Sequence, residues 1–167
     1  MFRKALVWVA AVLFVAPVFS AEPTPRSGGL LKFAVGAEPP NYDCHANSSF
    51  AFIHPVRPHY NTLLKFDTVK YPAVKGDLAE SWTVAKDGLT YTFRLRKGVK
   101  FHDGSTFTAE DVRATYERLR KPPPGVLSLR QASYSDIASI ETPDPNTVVF
   151  KLSKPNASMQ ARISASP

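Results

Sequence analysis

The sequence predicts a mixed α/β fold in which β-hairpins pack on helices. Three observations carry this. Residues 81–99 place strand-like segments on either side of Lys86-Asp87-Gly88, and the second alternates with a period of two. Thr108-Ala109-Glu110-Asp111 reads as a helix start and is followed by an apolar stripe. Residues 137–141 and 147–152 form a second strand pair around Pro143-Asp144-Pro145-Asn146.

The elements follow in chain order. Arg3 and Lys4 precede a charge-free run over residues 5–21, broken by Pro17 and ending in small residues. A basic start, an apolar stretch and a small-residue exit predict a secretory signal peptide over residues 1–21. The alternative, a transmembrane anchor, needs ~20 continuous apolar residues. No cysteine stands at the cleavage site, which argues against a lipoprotein anchor. Residues 22–29 read as a Pro/Ser/Gly linker, and residues 30–36 have the apolar content of a buried strand. Pro39-Pro40 and the Asn, Asp and Ser that follow make residues 37–49 a loop. In residues 50–64, Pro55 and Pro58 break the first half, and residues 59–64 have room for a helical turn or two. Residues 64–69 and 82–84 have strand character, with Tyr71-Pro72 and Gly76 between them.

The clearest strand is the one after Gly88. Leu89, Tyr91, Phe93 and Leu95 share one face, and Thr90, Thr92, Arg94 and Arg96 the other. At the helix start, Thr108 and Asp111 have the spacing of a capping box, and Glu110 and Asp111 suit the positive end of the helix dipole. Val112, Tyr116 and Leu119 make the stripe, and Pro122-Pro123-Pro124-Gly125 ends the helix. Residues 127–134 and 156–163 each have helical character.

Charge and motifs exclude several function classes. The formal net charge of +7 is dispersed along the chain, and export makes nucleic acid a poor partner. Cys44, His45, His54, His59 and His102 are metal-ligand types, but their spacing matches no zinc pattern. Asp43, His45, Ser48 and Ser49 share one loop, yet no Gly-x-Ser-x-Gly elbow accompanies them. No glycine-rich phosphate loop is present, and Gly28-Gly29 is not a nucleotide fingerprint; the reading is of a non-enzyme with no cofactor. Asn47-Ser48-Ser49 and Asn156-Ala157-Ser158 fit the glycosylation pattern, which is short enough to arise by chance. The aromatic residues are mostly core. Those in the loop after the first predicted strand, Tyr42 and Phe50 among them, are candidates to line a cleft. Cys44 is the only cysteine and, in an exported chain, is either free or paired outside it.

Leu78-Ala79-Glu80-Ser81-Trp82, then Asp87-Gly88-Leu89-Thr90-Tyr91-Thr92-Phe93, then Leu95 to Gly104 and Thr108 to Val112 together resemble the signature region of family 5 solute-binding proteins. These are the extracytoplasmic components of peptide, oligopeptide and nickel ABC importers. The resemblance extends to residues 30–45, to Leu63-Leu64-Lys65-Phe66-Asp67 and to residues 141–152. It implies part of a two-lobed periplasmic binding fold, whose lobes close over a solute and deliver it to a membrane permease. A whole member would be roughly three times this length, as two lobes and a smaller domain require. Residues 30–167 are then the N-terminal part of the first lobe with that smaller domain, and the second lobe is absent.

The resemblance further implies a small solute, most often a peptide, a periplasmic location and a monomer at full length. It points to Asn47, Ser48, Ser49 and Phe50 in the first loop, and to residues 125–129 with Val126 and Leu129, as solute contacts. Cys44 stands where many members carry proline, and its expected partner is a cysteine beyond this chain. The alternatives are a naturally short exported protein that captures no solute and, less favoured, a small exported hydrolase. Residues 22–167 alone are expected to be marginally stable, because half a lobe leaves apolar faces uncovered.

Overall fold

The computed structural model describes residue 24, residues 27–30 and residues 32–165 of the chain. The predicted signal peptide lies outside the described residues. Two units divide after Phe33, and the elements below all belong to the second, Ala34–Pro167.

Residues 30 and 32–36 do not form the expected strand. Leu30 is 81% exposed, and Phe33 and Val35 are exposed as well. A strand needs a neighbour to complete its ladder, and no described segment pairs with this one. Apolar content alone was the misleading signal.

Helix α1 spans Phe50–Val56 and runs on into a 3-10 turn at Arg57–His59. The sequence reading placed helical character after the prolines; the structure places it across them. Pro55 removes one backbone donor from α1, while burial of Phe52 holds the helix down. Tyr60 is already extended, so residues 60–64 are not helical. Strands β1 (Leu64–Phe66) and β2 (Val74–Gly76) form a small antiparallel ladder. Gly76 is required there, since a Cβ would sit 2.2 Å from the Ala79 carbonyl oxygen.

A four-stranded antiparallel sheet is the centre of the fold, in the order β3-β4-β6-β5. Its strands are β3 (Ala79–Val84), β4 (Thr90–Leu95), β5 (Ile137–Asp144) and β6 (Thr147–Leu152). Gly88 turns the first hairpin with φ +70, and the Asp87 carboxylate accepts the Leu89 N–H at 2.9 Å. Strand β5 continues through Pro143 to Asp144, aided by a register shift between Glu141 and Asp144. The inner face carries Tyr91, Phe93, Leu95, Ile137, Ile140, Val148, Phe150 and Leu152, all buried.

Helix α2 (Ala109–Arg120) covers that face with Val112, Tyr116 and Leu119. Tyr116 meets Phe150 at 4.9 Å and Tyr134 at 5.2 Å between ring centres. The capping box forms: the Asp111 carboxylate accepts the Thr108 N–H at 2.8 Å and its hydroxyl at 2.9 Å. In residues 127–134 only Gln131–Tyr134 is helical, as a 3-10 turn. Helix α3 (Met159–Ala165) starts later than expected, because Asn156 Oδ1 accepts the Ser158 N–H and holds residues 156–158 in a turn.

Candidate functional site

Loop 41–49 organises itself before it touches anything else. Asn41 Oδ1 accepts the Asp43 N–H, Asp43 Oδ1 accepts the His45 N–H at 2.8 Å, and Asn47 Oδ1 accepts the Ser49 N–H at 3.0 Å. These side-chain turns are the reason Asn and Asp dominate the segment. Asn47 is 5% exposed, and its amide NH2 donates to the Asn41 carbonyl at 3.1 Å. Its side chain therefore shapes the loop from inside. Ser48, Ser49 and Phe50 are exposed, Phe50 by 76%.

Helix α2 then grips the loop. Arg118 donates to both Asp43 oxygens, at 2.6 and 3.3 Å, and its Nη1 also contacts His45 Nδ1. The Arg118 guanidinium and the His45 N–H hold the Asp43 carboxyl down to about 2. Burial, with Arg118 and Arg130 nearby, lowers the His45 ring below its ordinary range. Burial and Asp43 raise the Cys44 thiol. Cys44 is a free cysteine and half-buried.

The second candidate segment joins the same assembly. The Leu129 N–H donates to the His45 carbonyl at 3.0 Å, and Arg130 Nη1 donates to the Cys44 carbonyl at 2.5 Å. Ser128 is buried and donates its hydroxyl to the Leu119 carbonyl at 2.8 Å. These bonds bend residues 126–130 away from the helix the sequence suggested. Val126 is half-buried, while Leu127 and Leu129 are exposed. The chain thus brings the two predicted segments together. Ser48, Ser49, Phe50 and Leu129 are exposed, whereas Asn47 is buried and bonded within the loop.

A cavity of about 300 Å3 lies beside this assembly, lined by Cys44, His45, Leu63, Phe107, Val112 and Tyr116, among others. A second of about 410 Å3 lies between residues 34–37 and Phe50, Ala51 and His54. Sequence reasoning missed Arg118 and Arg130. Their partners lie 75 and 86 residues away, and no local pattern announces such pairs.

The metal and hydrolytic candidates fare differently. Among the described residues, no group of three or more His, Cys, Asp or Glu could hold a metal. Asp43 and His45 are both engaged by Arg118. His54 packs beside Phe50, and His102 beside Tyr60. Among the described residues, no helix is long and apolar enough to cross a membrane.

Comparison with known proteins gives three kinds of match. The family model described as bacterial extracellular solute-binding proteins, family 5 Middle, matches residues 73–167. A Brucella ovis protein provisionally named an ABC transporter peptide-binding protein is 36% identical over 162 residues, covering 95% of this chain and 29% of its own length. The chain therefore spans less than a third of the curated relatives it matches over most of its length. Among solved structures, AgaA of A. tumefaciens R10 in complex with agropinic acid has a TM-score of 0.70 at 31% identity, covering 77% of this chain and 25% of its own. The ABC transporter-associated periplasmic binding protein DppA of Helicobacter pylori, in complex with the peptide STSA, has a TM-score of 0.68 at 29% identity, covering 77% and 28%.

Proposed function

This chain belongs to the bacterial extracellular solute-binding proteins, family 5, and from that premise we propose that it supplies part of the solute-capturing wall of an ABC importer's binding protein. The solute is a peptide or a similar small molecule, and the next partner is a membrane permease. The protein is exported to the periplasm by a signal peptide over residues 1–21, works as a monomer at full length, and performs no catalysis.

The observation that carries the reading is the union of loop 41–49 with residues 126–130 on one arginine-held support. That support presents exposed hydroxyl and apolar side chains together: Ser48, Ser49, Phe50 and Leu129. A peptide offers both backbone polar groups and apolar side chains, so such a mixture suits it. Family membership supports the same reading. The opposing wall would come from a second lobe that closes over the solute. Cys44 is proposed to pair with a cysteine of that longer protein.

The test is the intact mass of the protein isolated from its own cell envelope, together with mass spectrometry of any small molecule released on denaturation. A mass several-fold above the mature chain, with a peptide released, is the expected result. A mass matching residues 22–167, with nothing released and no peptide bound on titration, would overturn solute capture by this chain.

A further inference from the structure

We propose that Arg118 is the positioning residue of the candidate site, and that its grip on the first loop is released when His45 takes up a proton. The inference rests on the functional reading only in calling these segments a site; the release itself is a property of the fold.

The geometry sets the protonation state. Arg118 is a donor only and stays charged. Its Nη1 faces both Asp43 Oδ1 and His45 Nδ1. Nδ1 must therefore accept, which leaves the imidazole neutral with its proton on Nε2. A second proton would make Nδ1 a donor, so that two donors and two cations would face each other. His45 is buried and cannot turn its ring freely to water.

The surrounding charges oppose protonation on balance. Arg118 faces the ring from α2 and Arg130 from the segment after it, and both disfavour a second positive charge. Asp43, on the same loop, favours it but is already held by Arg118. Asp111, across the shared cavity, is engaged in the capping box with Thr108. Cys44 and Tyr116 in that cavity are neutral at these pH values, because burial raises both.

Release would reach both candidate segments. The His45 ring contacts Arg118, and the His45 carbonyl holds the Leu129 N–H. Displacing His45 loosens residues 41–49 and 126–130 in one event. The sign follows from the lowered ring: the grip is intact above His45's ordinary value of 6.5 and weakens as pH falls below it. Asp43 plays no part in that window, since its carboxyl titrates at about 2.

Hydrogen exchange on the full chain between pH 7.5 and 4.5 tests this, corrected for intrinsic rates. Peptides spanning residues 41–49 and 126–131 are followed, with the β4 peptide as internal control. Protection of the two loop peptides should fall together below pH 6.5, by about tenfold for each unit by which the site lowers His45, while β4 stays protected. His45→Asn keeps an acceptor without a titrating ring and should flatten the response. Arg118→Leu should lower protection of both loop peptides to a level that no longer changes with pH. Flat protection in the unmodified chain, an unchanged response in His45→Asn, or a parallel loss at β4 would each overturn the proposal. No solute is needed, so failure to bind peptide with an intact pH response would sink the functional reading alone.

Discussion

Phe93 and Phe150 sit on adjacent strands of the sheet, fully buried, with ring centres 5.3 Å apart. Tyr42, within loop 41–49, and Phe50, just after it, stay largely in solvent. The two regions use the same residue types under different physics. The sheet is held by apolar burial against α2, which involves no group that titrates in acid. The loop is held by side-chain turns, the guanidiniums of Arg118 and Arg130, and the Cys44 and His45 carbonyls. The difference teaches where the molecule keeps stability and where it keeps adjustable surface, and substitutions in the two regions should separate cleanly.

The largest expected effect is in the sheet. Phe150→Ala removes a ring that contacts both Phe93 and Tyr116. It should cost about 3–5 kcal/mol, enough to abolish folding of a small chain, as read by urea unfolding followed by circular dichroism. Phe50→Ala should change stability by less than about 0.5 kcal/mol. Equal losses for the two would break the comparison. Next in size is Thr108→Ala, which removes half of the capping box and should cost about 1 kcal/mol. Helix α2 serves both regions, through Tyr116 on one side and Arg118 on another, so this loss should appear in both.

The contrast also explains what could be read from the sequence. The Gly88 turn, the Thr108–Asp111 box and the alternation from Leu89 to Leu95 are local signals, and each element formed where they placed it. Residues 30–36 offered apolar content without a partner, and the expected strand is absent. Helix α1 runs through Pro55 because the burial of Phe52 outweighs one lost bond, which no proline rule foresees. In the candidate site, the segments around Ser49 and Leu129 came from family resemblance. Their union through Arg118 and the His45 carbonyl did not, since those contacts span more than 70 residues.

Acid sharpens the comparison further. The Asp43 carboxyl titrates at about 2 in the folded protein, against an ordinary value of 3.8. Its contribution is therefore fully present above about 3.8 and is lost as pH falls through about 2. In His45→Asn, which lacks the step below pH 6.5, exchange at loop 41–49 should rise over that range, and Asp43→Asn should raise it already at neutral pH. The pair is about a third exposed on both sides, so solvent screening keeps its energy near that of a surface pair, about 1 kcal/mol or less. A loop that stays protected at pH 2 would show that the side-chain turns alone hold it.

The smallest effect belongs to a charge pair of the same length in the other region. Lys151 and Glu141 meet at 2.6 Å on the outer side of the sheet, both half-exposed, and Arg118 and Asp43 meet at the same distance. Lys151 and Glu141 sit on strands whose register is already fixed, with Ser139 opposite Lys151 and Val149 opposite Glu141. Their side chains join nothing that the ladder has not joined. Lys151→Ala should therefore shift stability by less than about 0.5 kcal/mol, and exchange across β5 and β6 should not change. Arg118 and Asp43 connect segments that no ladder holds, so a similar pair there governs local order. If Lys151→Ala loosened β5 and β6 as far as Arg118→Leu loosens loop 41–49, the distinction between a sheet held by burial and a loop held by charge would fail.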